Sequence, residues 1–479
     1  MPAMIRPFAL AIVALSTAIA AGTTLRAEEP EQPAEPGAKV SYFKDVRPLF
    51  QEHCQGCHQP AKAQGGYVMT NMESLLKGGE SELAAIVPGN PDESYLLEQI
   101  TPVEGEAAMP QDKPPLHEDQ VQRIRQWIAA GAEDDTPDSV RETISAENPP
   151  EYEAPPVLTA IDFSPDGSLL ATSGYHEILL HQADGSELVA RLVGRSERIE
   201  SLAFSPDGKL LAATGGSPGR LGELQVWDVA AKELKYSVAV TYDTIYGARW
   251  SEDGTKISFG CADNTLRAVD AATGEQVLYQ GAHNDWVLDT VFSKEGTYLI
   301  SVSRDRSMKL VEVATERFVD NITSITPGAL KGGLNAVDRH PAKDELLCGG
   351  ADGVPKVYQM LRTKDRKIGD DFNLIKAYDA MPGRVYDVEF NADGSRFVAC
   401  SSLDSGGEVR VYETESGKLV SKLAGQQGPV YAVAFSPDGK VVGSVGFDGV
   451  VRLNSSDSGE LIKEFSPVPL GSAKVAATP

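Results

Sequence analysis

The sequence predicts a two-domain chain, a small all-α domain followed by a larger all-β domain of seven repeats. Three observations predict it. Apolar residues recur at helical spacing near both ends of residues 41–132. A turn of the form aromatic-Ser-Pro-Asp-Gly, or a weaker copy of it, returns seven times between residues 163 and 439. Two acidic, proline-rich stretches, 28–40 and 133–156, cannot bury a core and set these regions apart. The 479 residues exceed the roughly 100–200 of one ordinary domain. A formal net charge of −25 argues against nucleic acid and anionic membrane as partners, because both need clustered Lys and Arg. A basic protein partner is expected instead.

At the N-terminus, Arg6 precedes an apolar run over 8–21 and then small residues, the pattern of a secretory signal peptide, assigned to 1–27. Cleavage fits either after Ala20, in Ala18-Ile19-Ala20, or after Ala27. The run is shorter than the about 20 apolar residues of a membrane span, so no stable membrane insertion is expected after cleavage. The mature chain is expected in the periplasm or another extracytoplasmic compartment. Residues 28–40 then read as a flexible linker.

The all-α domain, 41–132, opens with Phe43, Val46, Leu49 and Phe50 at helical spacing. This helix leads into Cys54-Gln55-Gly56-Cys57-His58, the attachment signature of a c-type haem. The thiols of Cys54 and Cys57 add across the two haem vinyl groups, and His58 becomes the proximal iron ligand. One covalent haem is expected. A zinc site needs further ligands and a dithiol redox site needs a βαβ context, and neither is visible nearby. The middle of the domain reads as irregular and glycine-rich. Val121, Ile124, Trp127 and Ile128 then form the stripe of a closing helix, opened by Glu118 and Asp119 and stopped by Gly131. The two helices are expected to pack together, with Trp127 as core.

An electron carrier needs a sixth iron ligand, and Met69, Met72, Met109 and His117 are the candidates. Met109 is preferred, because it lies far enough along the chain to reach the opposite haem face and Pro110 stiffens its loop. Met69 and Met72 suit pocket filling. His117 and an open site remain alternatives, and His53 reads as a surface residue. The segment resembles the planctomycete-type cytochrome c domain. The resemblance runs through Val46-Arg47-Pro48-Leu49-Phe50, Cys54 to His58, Gly65-Gly66, Leu76-Lys77-Gly78-Gly79, Val87-Pro88-Gly89-Asn90-Pro91-Asp92-Glu93-Ser94, Met109-Pro110 and Trp127-Ile128-Ala129-Ala130-Gly131-Ala132. It implies a monohaem cytochrome with His58 proximal and Met109 distal, although the family's Met-Pro-Pro is here Met109-Pro110-Gln111.

Residues 133–156 form a second linker, expected to be extended and solvated. In 157–466 the turn recurs at Phe163, Phe204, Trp250, Phe292, Arg339, Phe390 and Phe435, separated by 41, 46, 42, 47, 51 and 45 positions. That period is close to the roughly 40–45 of propeller blades. Proline fixes φ in each turn and glycine supplies a positive φ, so the hairpin register is set locally. The repeats resemble the WD40 family in degenerate form. Trp227-Asp228 is the only such dipeptide, and Gly281-Ala282-His283 with Asp305 is similar to the family's Gly-His and turn-aspartate network. A seven-bladed propeller is expected, with residues 467–479 as a C-terminal tail.

Asp263, Asp305, Asp352, Asp404 and Asp448 recur between the second and third strands and are expected to bind nearby backbone amides. Cys261, Cys348 and Cys400 read as buried, unpaired thiols. Arg362, Lys364, Arg366 and Lys367 make a basic insertion, read as a solvated hairpin tip in preference to a docking site. No catalytic triad, metal cage or nucleotide loop is visible, so no enzyme activity is assigned. The whole reads as an exported cytochrome that passes single electrons to a redox partner docked on the propeller. Two alternatives are a redox enzyme whose propeller channel binds a substrate or second cofactor, and a haem sensor.

Overall fold

The computed structural model describes residues 39–59, 62–137, 144–324, 332–365 and 371–471. The predicted signal peptide, almost all of the first linker, and Arg366 and Lys367 of the basic insertion lie outside the described residues. Among the described residues no helix is long and apolar enough to cross a membrane.

A wide helical turn, Tyr42–Val46, starts the α domain, and Ser41 Oγ caps it by accepting from Lys44 N at 3.0 Å. It continues into α1, Arg47–His53, with Pro48 in its first turn. The middle is less irregular than its glycines suggest. It contains α2, Met72–Lys77, capped by Asn71 Oδ1 accepting from Ser74 N at 2.9 Å, and α3, Tyr95–Ile100. The last helix, α4, Glu118–Ala129, carries Glu118 and Asp119 in its first turn as expected. α1 and α4 share one core containing Val46, Leu49, Phe50, Ile124, Trp127 and Ile128. Trp127 meets Phe50 edge-on at 6.2 Å and stacks on Tyr42 at 5.2 Å.

The second linker is fastened at both described ends, which corrects its reading as solvated. Trp127 Nε1 donates to Glu133 O at 2.9 Å, and Phe43 N donates to Asp135 Oδ1 at 2.9 Å. At the far end Tyr152 is buried with Leu179 and Val468. An indole N–H in a core needs an acceptor and an aromatic ring gains from burial, and both needs outweigh the local excess of acids.

The repeat region is almost entirely β. Five four-stranded antiparallel sheets and one seven-stranded sheet follow in chain order. In the larger sheet the strand Leu188–Phe204 pairs with Tyr175–Gln182 through its first part and with Leu210–Ser217 through its second. Each Ser-Pro-Asp-Gly turn closes the same way. Ser164 Oγ donates to Asp166 Oδ1 at 2.6 Å and accepts from Leu169 N at 2.9 Å, while Gly167 takes φ +70°. The inner strands carry a bulge in register, as at Val287/Asp289, Leu334/Ala336, Val385/Asp387 and Val430/Ala432. Such bulges re-aim side chains.

The turn aspartates are structural, with one exception. Asp263, Asp305, Asp352 and Asp448 accept the amides of Thr265, Ser307, Val354 and Val450 at 2.9–3.2 Å. Each also pairs with a cation four residues on: Arg267 at 2.7 Å, Lys309 at 3.8 Å, Lys356, and Arg452 at 2.7 Å. Asp404 instead occupies an exposed hairpin tip between the paired Leu403 and Gly406, at φ +52°. Glu408 takes over the charge-pairing role there, with Arg410 at 2.6 Å and Lys422. Cys261, Cys348 and Cys400 are buried and unpaired as expected. Arg362 is no solvated tip, because its Nε donates to Asp320 at 2.7 Å and its guanidinium lies 5.6 Å from the Phe372 ring centre. Lys364 is exposed.

One boundary moves accordingly. Pro467 and Val468 are buried and Tyr152 bridges Leu470, so the chain just past 466 still contacts the repeats.

Candidate cofactor site

The haem motif folds as one tight turn off the end of α1. Cys57 N and His58 N both donate to Cys54 O at 3.1 Å, which places the two thiols and the imidazole on one short arc. Gln55, a variable position of the motif, ties this arc down: its Nε2 donates to Met69 O at 2.8 Å, and Met69 N returns a bond to His58 O at 2.8 Å. On the facing side Met109 N donates to Gln99 O at 2.9 Å, holding the Met109-Pro110 loop against α3. The Met109-Pro110 peptide is cis.

These pieces enclose a cavity of about 590 Å³. Cys54, Cys57, His58 and Met109 all line it, together with the apolar Met69, Leu96 and Ile100. The structure thus brings the four expected site residues to one wall system. Met69 fills the pocket as expected, while Met72 packs into the neighbouring core and His117 sits outside at the head of α4. His53, read as a surface residue, lines the cavity and lies 3.5 Å from Gln120 Nε2. Gly79 belongs to the same wall, and a Cβ there would stand 2.2 Å from Gly65 O, so only glycine permits this close backbone approach.

The site fits a haem on its own chemistry. His58 Nδ1 is buried without a hydrogen-bond partner, and the imidazole packs 5.4 Å from the Tyr67 ring, whose hydroxyl donates to Leu75 O at 2.8 Å. An imidazole held this way in an apolar pocket is set for a ligand of its own. Burial pushes the Cys54 thiol up to about 12, with the Lys113 charge opposing it. Lys113 brings a cation to the rim, beside Asp112 and opposite the apolar Met69, Leu96 and Ile100 of the lining. Tyr67, Gln55 and Lys113 carry no motif of their own; only Gln55, inside the five-residue signature, was within reach of sequence reasoning.

One array in the repeat region has the connectivity of a hydrolytic triad. His283 Nδ1 lies 3.0 Å from Asp305 Oδ2, and His283 Nε2 lies 2.8 Å from Ser301 Oγ. Ser301 and His283 are buried and line none of the described cavities, so the array stitches strands together and offers no nucleophile to solvent.

The family model described as Planctomycete cytochrome C matches residues 54–113, and that of WD domain, G-beta repeat, matches 151–180, 186–228, 274–312 and 417–454. The chain joins a planctomycete-type cytochrome c domain to WD40 repeats. The repeats are similar to those of eukaryotic translation initiation factor 3 subunit I of Candida glabrata, at 24% identity over 43% of this chain and 47% of that protein. The WD repeat-containing protein 26 homolog of Arabidopsis thaliana is 23% identical over 61% of this chain and 47% of its own length. The serine-threonine kinase receptor-associated protein of Gallus gallus is 23% identical over 44% of this chain and 66% of its own. The chain thus spans about half the length of the first two relatives. WD40 repeats generally mediate contacts between proteins.

Proposed function

We propose that this chain is an exported monohaem cytochrome c that passes single electrons, with its repeat domain docking a redox partner. The observation that carries the reading is the convergence of Cys54, Cys57, His58 and Met109 on one cavity of about 590 Å³, within the roughly 300–1,000 Å³ of cofactor pockets. When bound, haem supplies a one-electron couple at its iron. Cys54 and Cys57 would each add sulfur to one carbon of a vinyl group and hydrogen to the other, so that attachment consumes no oxidant. His58 and Met109 would supply the protein ligands to the iron. Met69, Leu96 and Ile100 exclude water, and a dry thioether-ligated site favours the reduced state. The secretory pattern in 1–27 supports an extracytoplasmic location, where covalent haem is attached.

The repeat domain, in this reading, is a closed propeller of seven four-stranded blades. That count uses every strand from Ile161–Phe163 to Leu461–Phe465, with Leu188–Phe204 serving two blades. Packing of Ile161 and Phe163 against Ala432, Ala434 and Val445 joins first and last. The cavity among the inner strands is only about 120 Å³, well below cofactor size, which favours a docking role over a second cofactor in the channel. The net charge of −25 suits a basic partner.

Expression with an export leader and a haem-attachment system tests the proposal. The purified chain is expected to stain for haem after denaturation, and Met109→Ala is expected to abolish the methionine-to-iron charge-transfer band. An unchanged band in Met109→Ala sinks the distal ligand; an unstained chain sinks the cytochrome.

A further inference from the structure

The first and last sheets of the repeat region each hold the other end of the chain without exchanging a strand. All four strands of the last sheet, from Val430–Phe435 to Leu461–Phe465, are consecutive, and the first sheet takes no strand from beyond Glu233–Thr241. What crosses between them is irregular chain. Ahead of the first strand, Leu158 N donates to Gly446 O at 3.0 Å, and Pro156 O stands 2.4 Å from where a Cβ on Gly449 would lie. After the last strand, Pro467 O lies 3.0 Å from His181 Nε2 on the first sheet, and Gly471 N donates to Tyr152 O at 3.1 Å.

Between several neighbouring inner strands a carboxylate on one accepts an amide from the next. Asp162 takes Phe204 N at 2.7 Å, Asp289 takes Val337 N at 2.9 Å, Asp338 takes Phe390 N at 2.8 Å, and Asp387 and Glu389 take Val433 N and Phe435 N at 2.9 Å. From last strand to first the corresponding positions are Ala432 and Ala434, which offer no acceptor. The junctions after Phe204 and Trp250 lack such a carboxylate too, but this one is also crossed by the chain entering and leaving the repeats, which can carry another fastening.

Tyr152 supplies it. Its hydroxyl donates to Glu177 Oε1 at 2.7 Å and accepts from Tyr175 N at 3.0 Å. Glu177 is fully buried and receives Arg191 through Nε at 2.6 Å and Nη2 at 2.7 Å, while that Nη2 also donates to Pro150 O at 2.6 Å. A buried carboxylate so enclosed cannot lose its cation without stranding a charge.

We propose that Tyr152, Glu177 and Arg191, with residues 467–471, form a latch that closes the repeat ring between its first and last sheets and seats there the chain arriving from the cytochrome domain. The latch rests on the closed-ring reading. Its two halves are reciprocal: the entering segment packs on the last sheet, the leaving segment on the first, and Tyr152 binds both.

Hydrogen exchange read by mass spectrometry on the full chain tests it. Truncation after Ser466 and, separately, Arg191→Met are expected to speed exchange in peptides carrying 161–163 and 430–435 by about a hundredfold or more, with 287–292 unaffected. Tyr152→Phe keeps the ring packing and removes only the hydroxyl, so it covers the case in which the stronger variants do not fold; a smaller acceleration at the same two strands is expected. Unchanged exchange there in Tyr152→Phe and the truncated chain, or equal acceleration in every sheet, overturns the latch. Fast exchange of those strands in the unaltered chain overturns the closed ring itself.

Discussion

At the residue scale, the proposed cofactor chemistry rests on side chains whose roles differ in how far they depend on the fold. Trp127 shows how the α domain is held: it is buried against Phe50 and Tyr42 and spends its N–H on Glu133 O. Trp127→Ala is expected to lower the stability of this domain by about 3–5 kcal/mol, read from denaturant midpoints of its visible spectrum; a loss under about 1 kcal/mol would contradict the packing. Cys54, Cys57 and His58 were legible because their chemistry needs only five consecutive residues. Met109 was legible because a proline and a position before the last helix mark its loop. Tyr67, Lys113 and His53 were not, because each acts through neighbours that only the folded chain supplies. Met69 N returns to His58 across a gap no local pattern encodes.

At the element scale, the inner strands set an acid balance that the turns oppose. Burial raises Asp162 and Asp289 to about 6 and Asp387 to about 7, and it lifts Glu389 well above the carboxylate range. Arg249, half-buried among them, is disfavoured by burial, yet Asp289, Asp338, Asp387 and Glu389 together hold its charge. Each raised carboxyl keeps its proton to a higher pH folded than unfolded, so the folded chain binds more protons between about pH 4 and 7 and loses stability as pH rises through that window. Asp207 and Asp253 work the other way. The Ser205 and Ser251 hydroxyls pull them to about 2, and their contribution is lost as pH falls below about 4. The thermal midpoint is expected to peak near pH 4–5 and to fall by pH 8, with Asp387→Asn flattening the alkaline side. Equal midpoints at pH 5 and 8 in the unaltered chain would refute this. The turns themselves were legible because proline, aspartate and glycine act within five residues. α2 and α3 were hidden, being six residues each between glycines. Asp404 shared the spacing of the other turn aspartates but not the turn, since Leu403 pairs with Gly406 and leaves room only for a tight tip.

At the scale of the whole molecule, charge and connectivity matter more than any one residue. A net charge of −25 attracts a basic partner over distance, and the attraction is screened as the Debye length falls from about 30 Å at 0.01 M salt to about 8 Å at 0.15 M. Capture of a basic redox partner on the immobilised chain is expected to weaken over that range; salt-independent capture would point to an apolar interface. Composition marked the acidic stretch 133–156 but not its fastened ends, because Trp127 reaches Glu133 from α4 and Tyr152, inside the stretch, packs on the repeats. With 133–135 fastened to the α domain and 150–152 to the repeats, residues 136–149 alone join them, about 14 residues spanning at most about 50 Å. Modules joined over such a span meet at about millimolar local concentration. Under the proposed function, a protein docked on the repeats would find the cytochrome domain already beside it, and the slow step of electron delivery would be arrival at the platform rather than any search for the haem.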